Sequence, residues 1–167
     1  MIEIRQYIPE DYLMIQRRHF DSLTFLNFPN PRLIASNLAK GPAFTGVAPE
    51  GIIACGGILP LWKGVGEAWV VTSELVNLYP LTFAKVIWRK LKELIESNSF
   101  ERVQTTVDKD YTISQAWVDR MGFKNEGLMR KFLGGRDFYR YAFIKENGNG
   151  GGDTSSSRGS LNGGNGL

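Results

Sequence analysis

The chain has 167 residues, of which 43% are apolar and 12% aromatic, and it carries a formal net charge of +3 at pH 7. This composition predicts one domain with a sizeable hydrophobic core, and so small a charge does not require nucleic acid or a membrane surface as a partner. With one cysteine the chain cannot form an internal disulfide, and with one histidine it cannot form a histidine-rich metal site. No apolar run approaches the roughly 18 residues that a membrane span needs. We therefore expect a soluble protein of a reducing compartment.

The N-terminal part of the chain alternates between strand and helix patterns. Ile2 and Ile4 alternate with charged residues, which predicts a short strand. The sequence Pro9-Glu10-Asp11 is typical of a helix start, because proline stands in the first turn and the acids lie at the positive end of the helix dipole. We therefore predict one helix from Pro9 to about Asp21, followed by a shorter helix from Pro31 to Ala39.

Three strand patterns follow. Phe44–Val47 and Gly51–Leu59 are separated by a turn sequence, and Ala68–Thr72 is a nearly continuous apolar run of the kind found in the middle of a sheet. Cys55 stands in the sequence Ile-Ile-Ala-Cys-Gly-Gly, which indicates a small buried strand residue rather than a nucleophile.

The C-terminal part of the domain contains two further helix patterns. From Pro80 to Ser97 the apolar positions fall on one helical face and the charged positions fall on the other. Arg102–Val107 is the next predicted strand, and a helix from Thr112 to Met121 is closed by Gly122.

A hairpin and a change of composition end the chain. Lys131–Leu133 and Phe138–Ile144, separated by two glycines, predict two antiparallel strands. Residues 147–167 are rich in Gly, Ser and Asn and contain no aromatic residue. Such a segment cannot bury enough apolar surface to offset its ordering entropy, so we predict a flexible tail after a domain of residues 1–146.

The element order βα(α)βββαβαββ resembles the GNAT superfamily of acyl-coenzyme A N-acyltransferases. The opening "IEIRQYIPEDYLMIQ", the segment "DRMGF" at Asp119–Phe123 and the segment "RDFYRYAFI" near the C-terminus are similar to pieces of that family. The resemblance implies an α/β (α+β) fold with a mixed, mostly antiparallel central sheet flanked by helices. In that family the central strand separates from its neighbour and exposes backbone groups to the pantetheine arm, and a glycine-rich turn then holds the pyrophosphate.

The stretch "GEAWVVTSELVNLYPL", from Gly66 to Leu81, corresponds to that strand and turn but has no glycine after its first residue. Glycine allows a turn to approach phosphates closely, and Pro80 lacks the amide that another residue would offer. A helix start can still bind an anion through its free amides. We therefore expect acetyl-coenzyme A binding to be weak or absent, with no metal involved. The residues that the resemblance places at the cofactor are Val71, Thr72, Ser73, Leu81, Thr82 and Tyr111.

The resemblance also assigns catalytic positions. Glu67 opens the central strand and resembles the carboxylate that deprotonates the acceptor amine in many members. A half-buried position would suit that work, and the alternative is a strand-end carboxylate that faces solvent. Val118 stands where the family usually has a tyrosine that protonates the leaving thiolate, which valine cannot do. Tyr111 stands where an asparagine often lies near the cofactor, and it could stack, donate a hydrogen bond or simply pack.

A closer resemblance is to the GNAT-like internal virion proteins of short-tailed phages. It is found in "AWVVTSELVNLYP", the basic helix that follows and "YTISQAWVDRMGF", with Trp69, Val71, Thr72 and Ser73 at its centre. It implies a role in building the phage particle, other virion or assembly proteins as partners, and a location in the host bacterial cytoplasm or in the virion.

Two functions therefore remain open. The first is a non-catalytic or weakly catalytic phage assembly protein, and the second is an active acetyl-coenzyme A-dependent N-acetyltransferase with Glu67 as the base. A third interpretation is that the terminal hairpin binds nucleic acid, because its aromatic residues alternate with basic ones and could stack on bases. We disfavour it, because aromatic residues in this pattern more often form the core face of a hairpin. The basic residues concerned are Arg120, Lys124, Arg130, Lys131, Arg136 and Arg140.

Overall fold

The computed structural model describes residues 1–146, and the predicted tail, residues 147–167, lies outside the described residues. The strands are β1 (Glu3–Gln6), β2 (Ala43–Ala48), β3 (Gly51–Trp62), β4 (Val65–Thr72), β5 (Arg102–Asp108), β6 (Lys124–Leu133) and β7 (Arg136–Ile144). The helices are α1 (Pro9–Met14), α2 (His19–Leu26), α3 (Pro31–Leu38), α4 (Pro80–Ser97) and α5 (Thr112–Arg120), with a short 3-10 helix at Glu74–Leu78.

Within the described residues the strands form one sheet in the order β1-β2-β3-β4-β5-β7-β6. All neighbouring strands are antiparallel except β4 and β5, which run parallel and pair only over Val65–Glu67 and Arg102–Gln104. Beyond Glu67 the two strands diverge. The predicted mixed, mostly antiparallel sheet and the predicted order of elements are thus confirmed, and the divergence leaves one edge of β4 without a strand partner.

Helices cover both faces of this sheet. The amphipathic pattern predicted for residues 80–97 is confirmed, because Ile87 and Leu91 of α4 pack with Val103 and Phe123 in the largest cluster of buried residues. On the other face, α1 and α3 pack against β3 and β4, where Tyr12 and neighbouring side chains form a second cluster. None of the helices in residues 1–146 is both long and apolar enough to cross a membrane.

The single helix predicted from Pro9 to Asp21 is wrong, because the chain forms two helices there. The first ends at Met14, and Ile15 has extended backbone with φ −60° and ψ 132°. The amide of Arg18 donates to the carbonyl oxygen of Thr72 at 3.0 Å. The segment around Arg18, which the local pattern assigns to a helix, thus pairs with the free edge of β4.

The hairpin strand predicted from Lys131 is too short, since β6 begins at Lys124. Its register with β7 shifts between Asn125 and Gly127 and again between Met129 and Leu133. These irregularities interrupt the alternation of apolar and polar residues by which a strand is recognised. The first part of β6 therefore has no clear strand pattern in the sequence.

A buried polar cluster joins α1 to the sheet. Both carboxylate oxygens of Asp11 accept hydrogen bonds from the Arg5 guanidinium at 2.6 Å. The Thr45 hydroxyl and the Ile8 amide donate to the same carboxylate at 2.7 and 3.2 Å. Burial alone would raise the pKa of Asp11, but these hydrogen bonds outweigh it and hold the pKa below its usual value. The charged form of Asp11 is therefore the form that the fold stabilises.

Cys55 lies beside this cluster and is fully buried in β3. Burial raises the pKa of its thiol to about 12, so the thiolate is not populated at neutral pH. The prediction that Cys55 is a small buried strand residue is confirmed.

Gly122 ends α5 with a backbone φ of +90°, as its position after the helix pattern predicts. We expect Gly122→Ala to lower the free energy of unfolding by about 1 kcal/mol, because an L side chain is strained at this φ. Chemical denaturation measures the effect. Gly46→Ala is the matched control, since a Cβ there would meet side chains of Ile2 and Ile4 at an ordinary 3.5 Å. Equal losses of stability in both variants would contradict the argument that the positive φ of Gly122 causes the loss.

Candidate functional site

A cavity of about 420 Å³ lies where β4 and β5 diverge. Its wall includes residues of α1, α2 and α3 from one face of the sheet and residues of α4 and α5 from the other, so it passes through the gap between the strands. Most of the wall is apolar, and several of its side chains are aromatic. The aromatic residues used below are Phe20, Trp69, Tyr111, Trp117, Phe132 and Phe138.

Three carboxylates, Asp21, Glu67 and Asp108, also belong to the wall, and no Lys, Arg or His among the described residues does. Glu67 does not open the strand as predicted but is the third residue of β4, and it lies at the point where β4 leaves β5. Both of its oxygens accept a hydrogen bond from Nη1 of Arg140 at 3.0 Å, and its side chain is 28% exposed. It is thus half-buried and held in an ion pair, and its role as a base stays a prediction.

The predicted backbone contacts of the central strand are already used within the chain. The amide and the hydroxyl of Thr72 both donate to Oδ2 of Asp21, at 3.0 and 2.9 Å. The Thr72 carbonyl accepts from the Arg18 amide. We call these three hydrogen bonds the Asp21–Thr72 clasp. The clasp occupies the Thr72 end of the edge of β4 that faces the gap.

The residues on either side of Thr72 offer no free edge. The Ser73 amide donates to the Ile53 carbonyl at 2.9 Å, and the Ser73 carbonyl accepts from Val76. Val71 pairs with Cys55 of β3, and alternate residues of a strand direct their backbone groups to opposite edges, so its groups face β3. A pantetheine arm bound along this stretch would have to displace the clasp.

The helix start at Pro80 offers few groups to a phosphate. The first intrahelical bond of α4 runs from the Phe83 amide to the Tyr79 carbonyl. This leaves the amides of Leu81 and Thr82 as first-turn donors, while Pro80 contributes none. The 3-10 helix before it contributes an acid and no basic residue. The predicted positions are thus at a helix start, but they fit an anionic cofactor poorly.

The other predicted positions line the cavity as packing residues. Tyr111 precedes α5 and stacks on Phe20, with ring centroids 4.4 Å apart and planes 14° from parallel. Burial raises the pKa of the Tyr111 hydroxyl. Val118 is 7% exposed and offers no proton. Trp117, next to it, stacks on Phe83 at 5.7 Å and so links α5 to the first turns of α4.

Sequence reasoning missed Asp21, which the structure places in the cavity wall at the clasp. The signal available was a single acid in the otherwise apolar and neutral segment "FDSLTFL". Sequence reasoning also missed Asp108, whose carboxylate accepts hydrogen bonds from Arg136 at 2.6 and 3.0 Å.

The basic hairpin is partly neutralised inside the fold. Arg136 pairs with Asp108, and Arg140 pairs with Glu67. Phe138 is 6% exposed, whereas Phe132 in the same hairpin is 46% exposed. That nucleic acid is not the partner stays a prediction. Residues 1–146 contain no group of three or more His, Cys, Asp or Glu side chains that could hold a metal ion.

No protein-family model and no curated protein sequence matches the chain. Solved structures do match it. An IAA acetyltransferase from Bacillus cereus is similar with a TM-score of 0.65 and 16% identity, over 87% of this chain and 100% of that one. A Bacillus subtilis acetyltransferase in complex with CoA is similar with a TM-score of 0.63 and 14% identity, over 87% of this chain and 98% of that one.

A GNAT family acetyltransferase from Elizabethkingia anophelis with acetyl-CoA bound is similar with a TM-score of 0.63 and 13% identity, over 86% of this chain and 98% of that one. At such identities the likeness shows the fold and not the activity. The chain therefore has the GNAT fold that its element order predicts.

Proposed function

We propose that this chain is a GNAT-fold protein in which acyl transfer is weak or lost, and that it acts as a phage virion or assembly protein through contacts with other proteins. The Asp21–Thr72 clasp is the observation that carries the first part of the proposal. It occupies Thr72, at one end of the edge of β4 that a pantetheine arm would use, with bonds of 2.9 to 3.0 Å.

The rest of the site supports the same conclusion. Acyl transfer from a thioester needs bound phosphates, an aligned thioester and a proton for the leaving thiolate. The turn before α4 has no glycine, its first helical residue is Pro80, and Val118 cannot donate a proton. Each departure weakens a different step, so together they oppose efficient turnover.

The assembly role rests on the resemblance of the Trp69–Ser73 stretch and its surroundings to internal virion proteins of short-tailed phages. Its partners would then be other virion or assembly proteins, and its location the host bacterial cytoplasm or the particle. Mass spectrometry of particles purified from infected host cells tests this role. A chain that is absent from both the particles and their assembly intermediates would contradict it.

An active acetyl-coenzyme A-dependent N-acetyltransferase is the second candidate function. The cavity favours it, because an open space of about 420 Å³ runs through the gap between β4 and β5 and has Glu67 in its wall. In this alternative Glu67 accepts the proton of the acceptor amine. The ion pair with Arg140 would then have to loosen for the carboxylate to reach that proton.

We expect millimolar acetyl-CoA to leave the melting temperature of the protein unchanged. A ligand present at a hundred times its Kd would stabilise the fold by about 2.7 kcal/mol. Melts with and without acetyl-CoA measure this, with the Elizabethkingia acetyltransferase as a positive control. A thiol-release assay on the wild type and on Glu67→Gln then measures turnover.

Two outcomes would change the conclusion. Stabilisation together with turnover that Glu67→Gln abolishes would establish the acetyltransferase. Stabilisation without turnover would leave a protein that binds the cofactor but does not use it.

A further inference from the structure

A groove of about 360 Å³ lies between α4, the end of α5 and the end of β7. Its apolar floor consists of Trp88 and Ile95 of α4, Met121 and Phe143 of β7. Trp88 and Phe143 are half-buried, since they pack against the main cluster of buried residues and also line the groove. Met121 is the only described residue that the groove shares with the cavity between β4 and β5. The groove is therefore a second, separate apolar surface.

Basic side chains surround this floor. Lys92 of α4, Arg120 of α5 and Lys145 after β7 are exposed residues of the groove wall, and Glu96 is the one acid of that wall among the described residues. Lys92 lies 4.0 Å from Glu96, in an exposed pair that water weakens. Arg120 and Lys145 have no ion pair within residues 1–146. The rim thus keeps positive charge that a ligand can use.

The residue types of the groove favour a protein as its ligand. Apolar surface rimmed by polar residues marks sites that bind other proteins, and Trp, Phe, Met and Arg are enriched in protein interfaces. A membrane takes up apolar side chains that protrude from a protein, whereas these side chains line a groove. Residues 147–167, which follow close after Lys145, contain one acid and no aromatic residue, so they match neither the rim nor the floor.

We propose that this surface, which we call the basic groove, docks an acidic amphipathic segment of a partner protein. An aromatic or leucine side chain of that segment fills the floor, and its carboxylates lie against Lys92, Arg120 and Lys145. The apolar anchor supplies most of the affinity, while the rim charges speed association and select the partner. Such docking deepens the proposed function, since it rests on contacts with other proteins, but it requires neither a cofactor nor a place in the virion.

A synthetic helical peptide with tryptophan and leucine on one face and glutamate on the other is the probe. Its controls carry glutamine or lysine in place of glutamate, or alanine in place of tryptophan and leucine. Isothermal titration calorimetry of the full chain at neutral pH and physiological salt measures the affinities. We expect the glutamate peptide to bind roughly tenfold more tightly than the glutamine peptide, and the lysine and alanine peptides to bind most weakly.

Arg120→Glu/Lys145→Glu reverses the two unpaired charges of the rim, both of which are exposed. We expect it to lower the affinity for the glutamate peptide by roughly tenfold and to raise the affinity for the lysine peptide, because attraction and repulsion are exchanged. Lys40→Glu/Lys63→Glu is the matched control, since it makes the same change in net charge at exposed positions outside the groove. It should change neither affinity.

The order of the wild-type affinities decides the question even if a variant fails to fold. A lysine peptide that binds as tightly as the glutamate peptide would overturn the proposal, and so would a glutamate peptide that does not bind. Equal losses in both double variants would also overturn it, because the effect would then come from net charge alone. Peptide binding and presence in the virion are measured separately, so failure of one leaves the other standing.

Other occupants of the basic groove give different results. Sedimentation with anionic phosphatidylglycerol vesicles that Arg120→Glu/Lys145→Glu abolishes would assign the groove to a membrane. A dimer of the wild type that the same variant dissociates in sedimentation velocity would assign it to a second copy of the chain. Tighter binding of the glutamate peptide after replacement of Leu161 and Leu167 by serine would assign it to residues 147–167. Each of these results would overturn the proposal of a separate acidic partner.

Discussion

Arg5→Met is expected to lower the free energy of unfolding by about 2 kcal/mol, because it leaves the buried carboxylate of Asp11 without its cation, while the Arg5 side chain is 39% exposed and its charge is partly screened by water. Asp11 is 3% exposed, and the Arg5 guanidinium binds both of its oxygens at 2.6 Å. The Thr45 hydroxyl and the Ile8 amide remain as donors to Asp11, which keeps the loss below that of a fully buried pair. Denaturation with urea measures it.

The double variant Arg5→Met/Asp11→Asn is the control for this loss. We expect it to be more stable than Arg5→Met alone, because it removes the uncompensated charge together with its partner. A double variant less stable than the single one would indicate that the loss comes from the packing of the Arg5 side chain.

The contribution of the Arg5–Asp11 pair to the free energy of unfolding should change with pH in a defined direction. The folded protein lowers the pKa of Asp11 from its ordinary 3.8, so this stabilisation is present above that value and is lost as the pH falls through the folded pKa. The difference in stability between the wild type and Arg5→Met should therefore narrow below about pH 4. A difference that stays constant down to pH 2 would contradict the charge argument.

The elements that the sequence predicts well are those whose pattern is local. The helix of residues 80–97 shows an apolar face at helical spacing and begins at a proline, so its bounds follow from neighbouring residues alone. The apolar run of β4 and the glycine stop at Gly122 are of the same kind. The secondary structure of these elements does not depend on which distant segment packs against them.

The features that the sequence did not predict depend on distant contacts. The break between α1 and α2 follows from the pairing of Arg18 with Thr72, and the Asp21 hydrogen bonds span 51 positions. Likewise the partner of Glu67 is Arg140, 73 positions away. Composition and periodicity contain no information about such pairs. The sequence therefore predicts a candidate site on β4, which stays a prediction, but it does not reveal the groups that pair with Thr72 and Glu67 there.

Asp21→Ala is expected to make the protein bind acetyl-CoA more tightly than the wild type does. The variant removes the acceptor for both Thr72 donors and so frees the Thr72 amide and hydroxyl, while the Arg18 amide still donates to the Thr72 carbonyl. At ten times its Kd a ligand adds about 1.4 kcal/mol of stability, which raises the melting temperature of a domain of this size by several degrees. Melts with millimolar acetyl-CoA measure the shift.

Asp21→Asn is the control for that experiment, because its side-chain oxygen can keep both hydrogen bonds and so keep the clasp. It should resemble the wild type and show no shift with acetyl-CoA. If neither variant responds to acetyl-CoA, the clasp is not what limits binding, and the glycine-free turn and Pro80 are the remaining barrier.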